Sequence, residues 1–401
     1  MSASQPLPLA GVRVLSMDQY GAAPYCTMIM ADLGAEVIKI ENPATGGDFA
    51  RATGPYFLGE HDSLYYQCFN FNKRSLTLDV KSPGGRAVLE KLVQRADALV
   101  HNMRGDQPAK LGLEYKHLAP INPKIVCGHI SAYGRDNERA SWPGYDFLMQ
   151  AEAGFMSVTG EPDGPPVRLA VSMVDFMTGT MMAYAVTAAI LACKTTDAPG
   201  RDIDLSLMDL ALHQLSYPGI WYLNEGAVMG QLPRGAHMSI TPSQLQKTKD
   251  GWIFVMAQNP KFWEILIEGL GRPDLGRDPR FADMPSRLTH RPELTAILDD
   301  IFSTRTTDDW IAVFKGKLPV GPVYGIDRAL DNPFLQQTRM IQTVPHPDRA
   351  DMRALTNPLK LDGGRVPTRH APKLGQDTEA ILGELGYGAG EIDALRAAKA
   401  V

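Results

Sequence analysis

Short apolar runs alternate with helix-length segments through the first third of the chain, and this alternation limits the possible folds more than any other feature. GVRVLSM (11–17), AEVIKIE (35–41), SLTLDV (75–80), ALVHN (98–102) and KIVCGHISAYG (124–134) read as strands. Between them, PYCTMIMADL (24–33), with Gly34 as its stop, and GGRAVLEKLVQRA (84–96) read as helices. Strands that alternate with helices imply an α/β fold with a mainly parallel, doubly wound sheet.

At 401 residues the chain is too long for one ordinary core, and two domains are expected. KTTDAPGRD (194–202) is polar, and DIDLSLMDLALHQL then starts a strand and a helix. GAVMGQLPRGAHMSITPSQ (226–244) is rich in Gly and Pro and reads as a linker. GWIFVMA (251–257) opens a second unit, with helices near 261–270, 292–303 and 307–315, and PVGPVYGI (319–326) brings the chain back. The expected division is 1–200 for the large domain, 201–230 for a linker and 231–325 for a small domain. Residues 326–401 then return to the large domain through the helix in TEAILGELG.

A net charge of −5 argues against a protein that neutralises nucleic-acid phosphates. The cysteines at 26, 68, 127 and 193 form no CxxC pair, and the nine histidines form no HExxH, so no metal is expected. The opening MSASQPLPLAGVRVL lacks a basic run followed by a long apolar core, and a reduced, cytoplasmic setting is expected. Residues 176–193 alone are apolar enough to suggest a membrane span. Their Thr, Gly and Tyr content favours a buried helix, with no membrane partner.

The first turn, DQYGAAP, lacks the glycines a dinucleotide pyrophosphate needs, although Glu41 ends the second strand where a ribose would be bound. Glu41 otherwise reads as a solvated strand end. Lys73 and Arg74 lie just before a strand, and Arg104 and Lys110 just after one; each pair reads as a phosphate-binding loop or as plain surface charge. Asp175, in VSMVDFMTG, has no charged neighbour within six positions and heads the apolar stretch. It reads as a helix N-cap, worth about 0.5–2 kcal/mol. It reads equally as an ionised carboxylate facing a cleft, fit to act as a nucleophile or a base.

Taken in order, PLAGVRVL, APYCTMIMADLGAEVIKIE, NKRSLTLD, NMRG with LGLEY, GYD, MVDFMTG and PKLGQDTEAIL resemble the class III CoA-transferase family, which also contains alpha-methylacyl-CoA racemases. The resemblance implies a Rossmann-like large domain built from both chain ends, a smaller α+β domain and an interlocked, ring-shaped homodimer. It implies acyl-CoA and a carboxylic acid as substrates, with coenzyme A as a substrate and no tightly bound cofactor. Asp175 matches the family's nucleophile, which forms a mixed anhydride and then an aspartyl-CoA thioester. Lys73, Arg74, Arg104 and Lys110 would hold the CoA phosphates. Asn102, Met103 and Leu111 would lie along the nucleotide and pantetheine path, and Gly21, Ala22 and Ala23 would border the cleft.

Two departures from the family narrow the activity. The racemase branch carries a His–Asp pair where this chain has Tyr145 and Asp146, and a phenol with a pKa near 10 is a poor base at neutral pH. Transfer is therefore favoured over racemisation or passive CoA binding. The strand GWIFVMA is followed by QNPKFWE without the glycine run of the oxalate enzymes. A short dicarboxylate is the expected acid, with Arg168 or His237 meeting its far carboxylate.

Overall fold

The computed structural model describes residues 5–401. The chain divides into two compact units. Of the described residues, the first comprises 5–153, 170–215 and 334–401, and the second 154–169 and 216–333.

The first unit is built on six parallel strands: β1 (Arg13–Met17), β2 (Glu36–Glu41), β3 (Arg74–Thr77), β4 (Ala98–His101), β5 (Val126–Ser131) and β6 (Arg201–Ser206). Their order across the sheet is β3-β2-β1-β4-β5-β6. This is the doubly wound arrangement, and the chain reverses direction across the sheet between β1 and β4. In such folds the crevice opens at that reversal, at the carboxyl ends of the strands.

The inner strands are buried on both faces, as their unbroken apolar runs require. On one face, helix α2 (Pro83–Val93) and the C-terminal helices Thr378–Glu384 and Ala389–Ala397 bury Leu15, Leu76, Leu89, Leu99 and Cys127. The other face carries α1 (Ala22–Asp32), α3 (Asp146–Glu152) and α4 (Met173–Thr195).

α4 is long and apolar enough to cross a membrane. Here its buried positions Val174, Thr178, Gly179, Met182 and Val186 form one stripe. A Cβ at Gly179 would come within 2.5 Å of Ala22 O and 3.0 Å of Cys26 N, so only glycine lets α4 reach the backbone of α1. The tail shields the edge strand β3: Ser75 N donates to Asp377 Oδ2 (2.9 Å) and Thr77 N to Thr378 Oγ1 (3.0 Å). The linker expected from 201 begins instead as β6, the opposite edge strand, whose Asp202 and Asp204 keep that edge polar.

The second unit holds the antiparallel strands Ser243–Lys247, Trp252–Met256 and Val320–Pro322. Helices Pro260–Gly269, Arg291–Phe302 and Thr307–Phe314 bury Trp263, Leu298, Phe302, Trp310 and Phe314 with them. Asn259 accepts from Phe262 N (2.9 Å), so QNPKFWE starts a helix directly after its strand. The segment 154–169 joins this unit rather than the first.

Candidate active site

A cavity of about 560 Å³ opens at the carboxyl ends of the first unit's strands. Asp175 lines it together with Tyr20, Gly21, Asn102, Met103 and Tyr145. The cap position of α4 belongs to Ser172, so Asp175 is not an N-cap; it sits in the first turn. Its own N–H donates to Asp146 Oδ2 (3.0 Å). One face of its carboxylate rests on Gly21, where an added Cβ would overlap Oδ2 and lie 3.0 Å from Cγ. The expectation of a carboxylate ionised throughout the neutral range does not hold. Burial, and then the Asp146 carboxylate, push its pKa up to about 7.

Five carboxylates line the cavity: Asp18, Glu41, Asp48, Asp79 and Asp175. Asp18 is gripped by Lys39, Ser16 and Thr27. Glu41 takes Arg51 in a two-point pair (2.7 Å each) and Ser75 Oγ (2.6 Å). Glu41 is therefore neither a ribose ligand nor a solvated strand end. Asp48 accepts from Tyr20 N and Ala50 N, and Asp79 from Lys81 N. Among the described residues, no hydrogen bond or ion pair occupies the carboxylate oxygens of Asp175.

The other expected site residues divide into two groups. Gly21, Ala22, Asn102, Met103, Arg104 and Leu111 line the cavity. Ala23 is fully buried behind it. Lys73 is also buried: Nζ donates to Pro24 O (3.0 Å) and Asn70 Oδ1 (2.8 Å), 3.7 Å from Asp18. Burial holds its pKa down to about 8 against the pull of Asp18. Arg74 opens β3 at the amino edge of the sheet, where it pairs with Glu36 (2.6 Å) and Glu384 (2.7 Å). Lys73 precedes β3 and Arg74 is its first residue, whereas the cavity lies past the strands' other ends. Lys110 bonds Asp106 (2.5 Å) outside the cavity lining. The cation that sequence reasoning missed is Lys81, which follows β3 and lines the cavity beside Arg104. Its signal was its place just past the carboxyl end of that strand.

A family model, CoA-transferase family III, matches residues 9–378. The chain belongs to CoA-transferase family III. It is 32% identical to a succinate–glutarate CoA-transferase of Agrobacterium fabrum, over 94% of this chain and 96% of that protein. It is 30% identical to a formyl-CoA:oxalate CoA-transferase of Streptomyces coelicolor, over 97% of this chain and 98% of that one. A solved CaiB/BaiF family protein from Brucella suis superposes with a TM-score of 0.83 at 30% identity, covering 95% of this chain and all of that one. The transferase moves CoA from an acyl-CoA to a free carboxylic acid.

Tyr145 of the transferase is 63% exposed and meets Tyr20 edge-on, with ring centroids 6.1 Å apart. Arg168 and His237 belong to the second unit. There Arg168 is exposed, and His237 Nδ1 accepts from Ser239 N (3.0 Å).

Proposed function

We propose that Asp175 carries the transferred groups covalently. The observation that supports this reading is that, of the five carboxylates at the cavity, Asp175 alone has neither oxygen in a hydrogen bond or ion pair among the described residues. The carboxylate attacks the thioester carbonyl of the donor; the C–S bond breaks and CoA leaves as thiolate, giving a mixed anhydride. The thiolate then attacks the aspartyl carbonyl, releasing the donor acid and forming an aspartyl-CoA thioester. An acceptor carboxylate displaces CoA from that thioester, and the returning thiolate takes the acceptor acyl group and frees Asp175. No net proton is consumed. The anhydride is water-sensitive, and the aromatic rim of Tyr20, Phe49 and Tyr145 suits a cleft from which water is excluded.

The coenzyme phosphates are assigned to Lys81 and Arg104, and its nucleotide and pantetheine to the wall formed by Asn102, Met103 and Leu111. A short dicarboxylic acid is the proposed acceptor, with Arg168 or His237 binding its far carboxylate. Two copies are proposed to interlock as a cytoplasmic homodimer, each with a large domain from both chain ends and a small central α+β domain.

The test is incubation with succinyl-CoA and a panel of acids that includes glutarate and oxalate, with new acyl-CoAs read by mass. Full transfer by Asp175→Ala would overturn the reading. A pKa near 7 also suits a general base, so a second reading is racemisation of a 2-methylacyl-CoA. Deuterium entering the alpha carbon in D2O without an acceptor acid would favour it. A protein that only binds CoA would show no hydroxylamine-sensitive adduct at Asp175.

A further inference from the structure

We propose that His101, His129 and Asp202 form a proton-ordered chain that positions the Asn102–Arg104 wall of the cavity. The claim that this wall receives CoA rests on the transfer reading above. None of the three residues lines the cavity, and both histidines are fully buried. They stand opposite each other in register on β4 and β5. His101 Nε2 lies 2.6 Å from His129 Nδ1, and His129 Nε2 lies 2.6 Å from Asp202 Oδ1.

One end of the chain sets the direction of every link. The backbone N–H of Met103 can only donate, and it points at His101 Nδ1 (3.2 Å). That nitrogen must therefore be bare, which places the proton of a neutral ring on Nε2. His101 Nε2–H then donates to His129 Nδ1, and His129 Nε2–H donates to Asp202. Asp202 also accepts from Tyr115 N (2.8 Å), with Arg135 3.8 Å from its second oxygen. Burial works against the charge of Asp202, but the His129 bond, the Tyr115 amide and Arg135 overcome it and lower its pKa. Burial, His129 and Arg135 hold His101 well below the usual histidine range, so it stays neutral.

The wall at the other end faces the chemistry. Asn102 clamps Gln19 from both sides, through Nδ2 to Gln19 O (2.7 Å) and from Gln19 N to Oδ1 (2.9 Å). Gln19 leads through Tyr20 to Gly21, against which the Asp175 carboxylate rests. Two apolar side chains would fill the space between β4 and β5 but would give the Met103 N–H no acceptor. The chain thus ties the edge strand β6 to the loop on which the coenzyme lies, and its three members are positioning residues.

Two measurements test the chain on the full-length protein. Nitrogen-15 NMR of imidazole-labelled protein at neutral pH should show both rings neutral and protonated at Nε2, each with a strongly deshielded N–H proton. Spectra of His101→Asn and His101→Phe assign the signals. An Nδ1–H tautomer on either ring, or a charged His101, overturns the proposal. In kinetics, His101→Phe should raise KM for the acyl-CoA about tenfold, the scale of one lost buried acceptor. kcat should stay within about threefold, because the wall holds coenzyme equally in ground and transition states. His101→Asn keeps an acceptor near Nδ1 and should recover most of the KM. An unchanged KM in folded His101→Phe, or equal losses in the two variants, overturns the positioning role. A wild type without CoA turnover would instead refute the transfer reading, and the tautomers would still decide the proton order.

Discussion

The backbone N–H of Asp175 donates to Oδ2 of Asp146 at 3.0 Å, which sets two carboxyl groups side by side at the start of α4. Burial is the main reason that Asp175 titrates near 7, and Asp146 adds to it. A nucleophile must be ionised, so kcat/KM for the acyl-CoA should fall as pH drops through about 7 and level off above it. Asp146→Asn removes the second charge, and the acidic limb should move to lower pH. The pH profiles of wild type and variant, measured with one acyl-CoA and one acid, check this. A limb at the same pH in both would show that Asp146 has no electrostatic effect on Asp175.

The same burial makes Asp175 a stability liability. Its pKa is higher in the folded chain than the ordinary 3.8, so folding is penalised as pH rises from about 4 through about 7. Asp175→Asn removes the charge and should abolish transfer while raising the unfolding midpoint at pH 8. The interval between 3.8 and about 7 sets a ceiling of about 4 kcal/mol on the gain. At pH 4 the two proteins should unfold together. Denaturant curves at the two pH values measure the difference, and a variant less stable than wild type at pH 8 would contradict the assignment.

The sheet was legible because its strands are unbroken apolar runs punctuated by helix signals such as Gly34. Asp175 was legible because a lone acid in an apolar stretch is costly unless it has work to do. What surrounds it was not: Asp146 lies 29 residues away and reaches it only through the placement of α3 against α4. The resemblance gives Lys73 and Arg74 to the coenzyme although both read as lying before their strand, because their partners Asp18, Glu36 and Glu384 are distant in the chain. His101 and His129 looked like ordinary strand residues, because the register that pairs β4 with β5 is not written in either strand alone.

Gly21 tests how closely the nucleophile is held. Its φ of −112° suits any residue, so Ala should cost little in backbone strain. A Cβ there would collide with Asp175 Oδ2 and force the carboxylate off its line into the cavity. Gly21→Ala should fold normally by circular dichroism and lose about 100-fold in kcat, the scale of a displacement of an ångström at a reacting group. Retention of full activity would mean that Asp175 can act from another rotamer.

The four basic residues of the loops should separate by position rather than by charge. Lys81→Ala and Arg104→Ala remove cations that line the cavity, and each should raise KM for acyl-CoA, more steeply at low salt, with little effect on kcat. Arg74→Ala, on the amino edge with Glu36 and Glu384, should leave KM unchanged. Lys73→Met should act on stability instead. Two lysines, Lys39 and Lys73, balance Asp18 and Asp48 beneath the cavity floor. Lys39 still pairs with Asp18 and Asp48 after Lys73 is removed, so the loss should be that of the bonds to Pro24 O and Asn70 Oδ1, about 1–3 kcal/mol, offset in part by relief of a buried charge whose pKa is pushed down to about 8. KM series at two ionic strengths, with urea unfolding of each variant, distinguish the groups. A KM rise for Arg74→Ala equal to that for Arg104→Ala would move the phosphate site to the other end of the sheet.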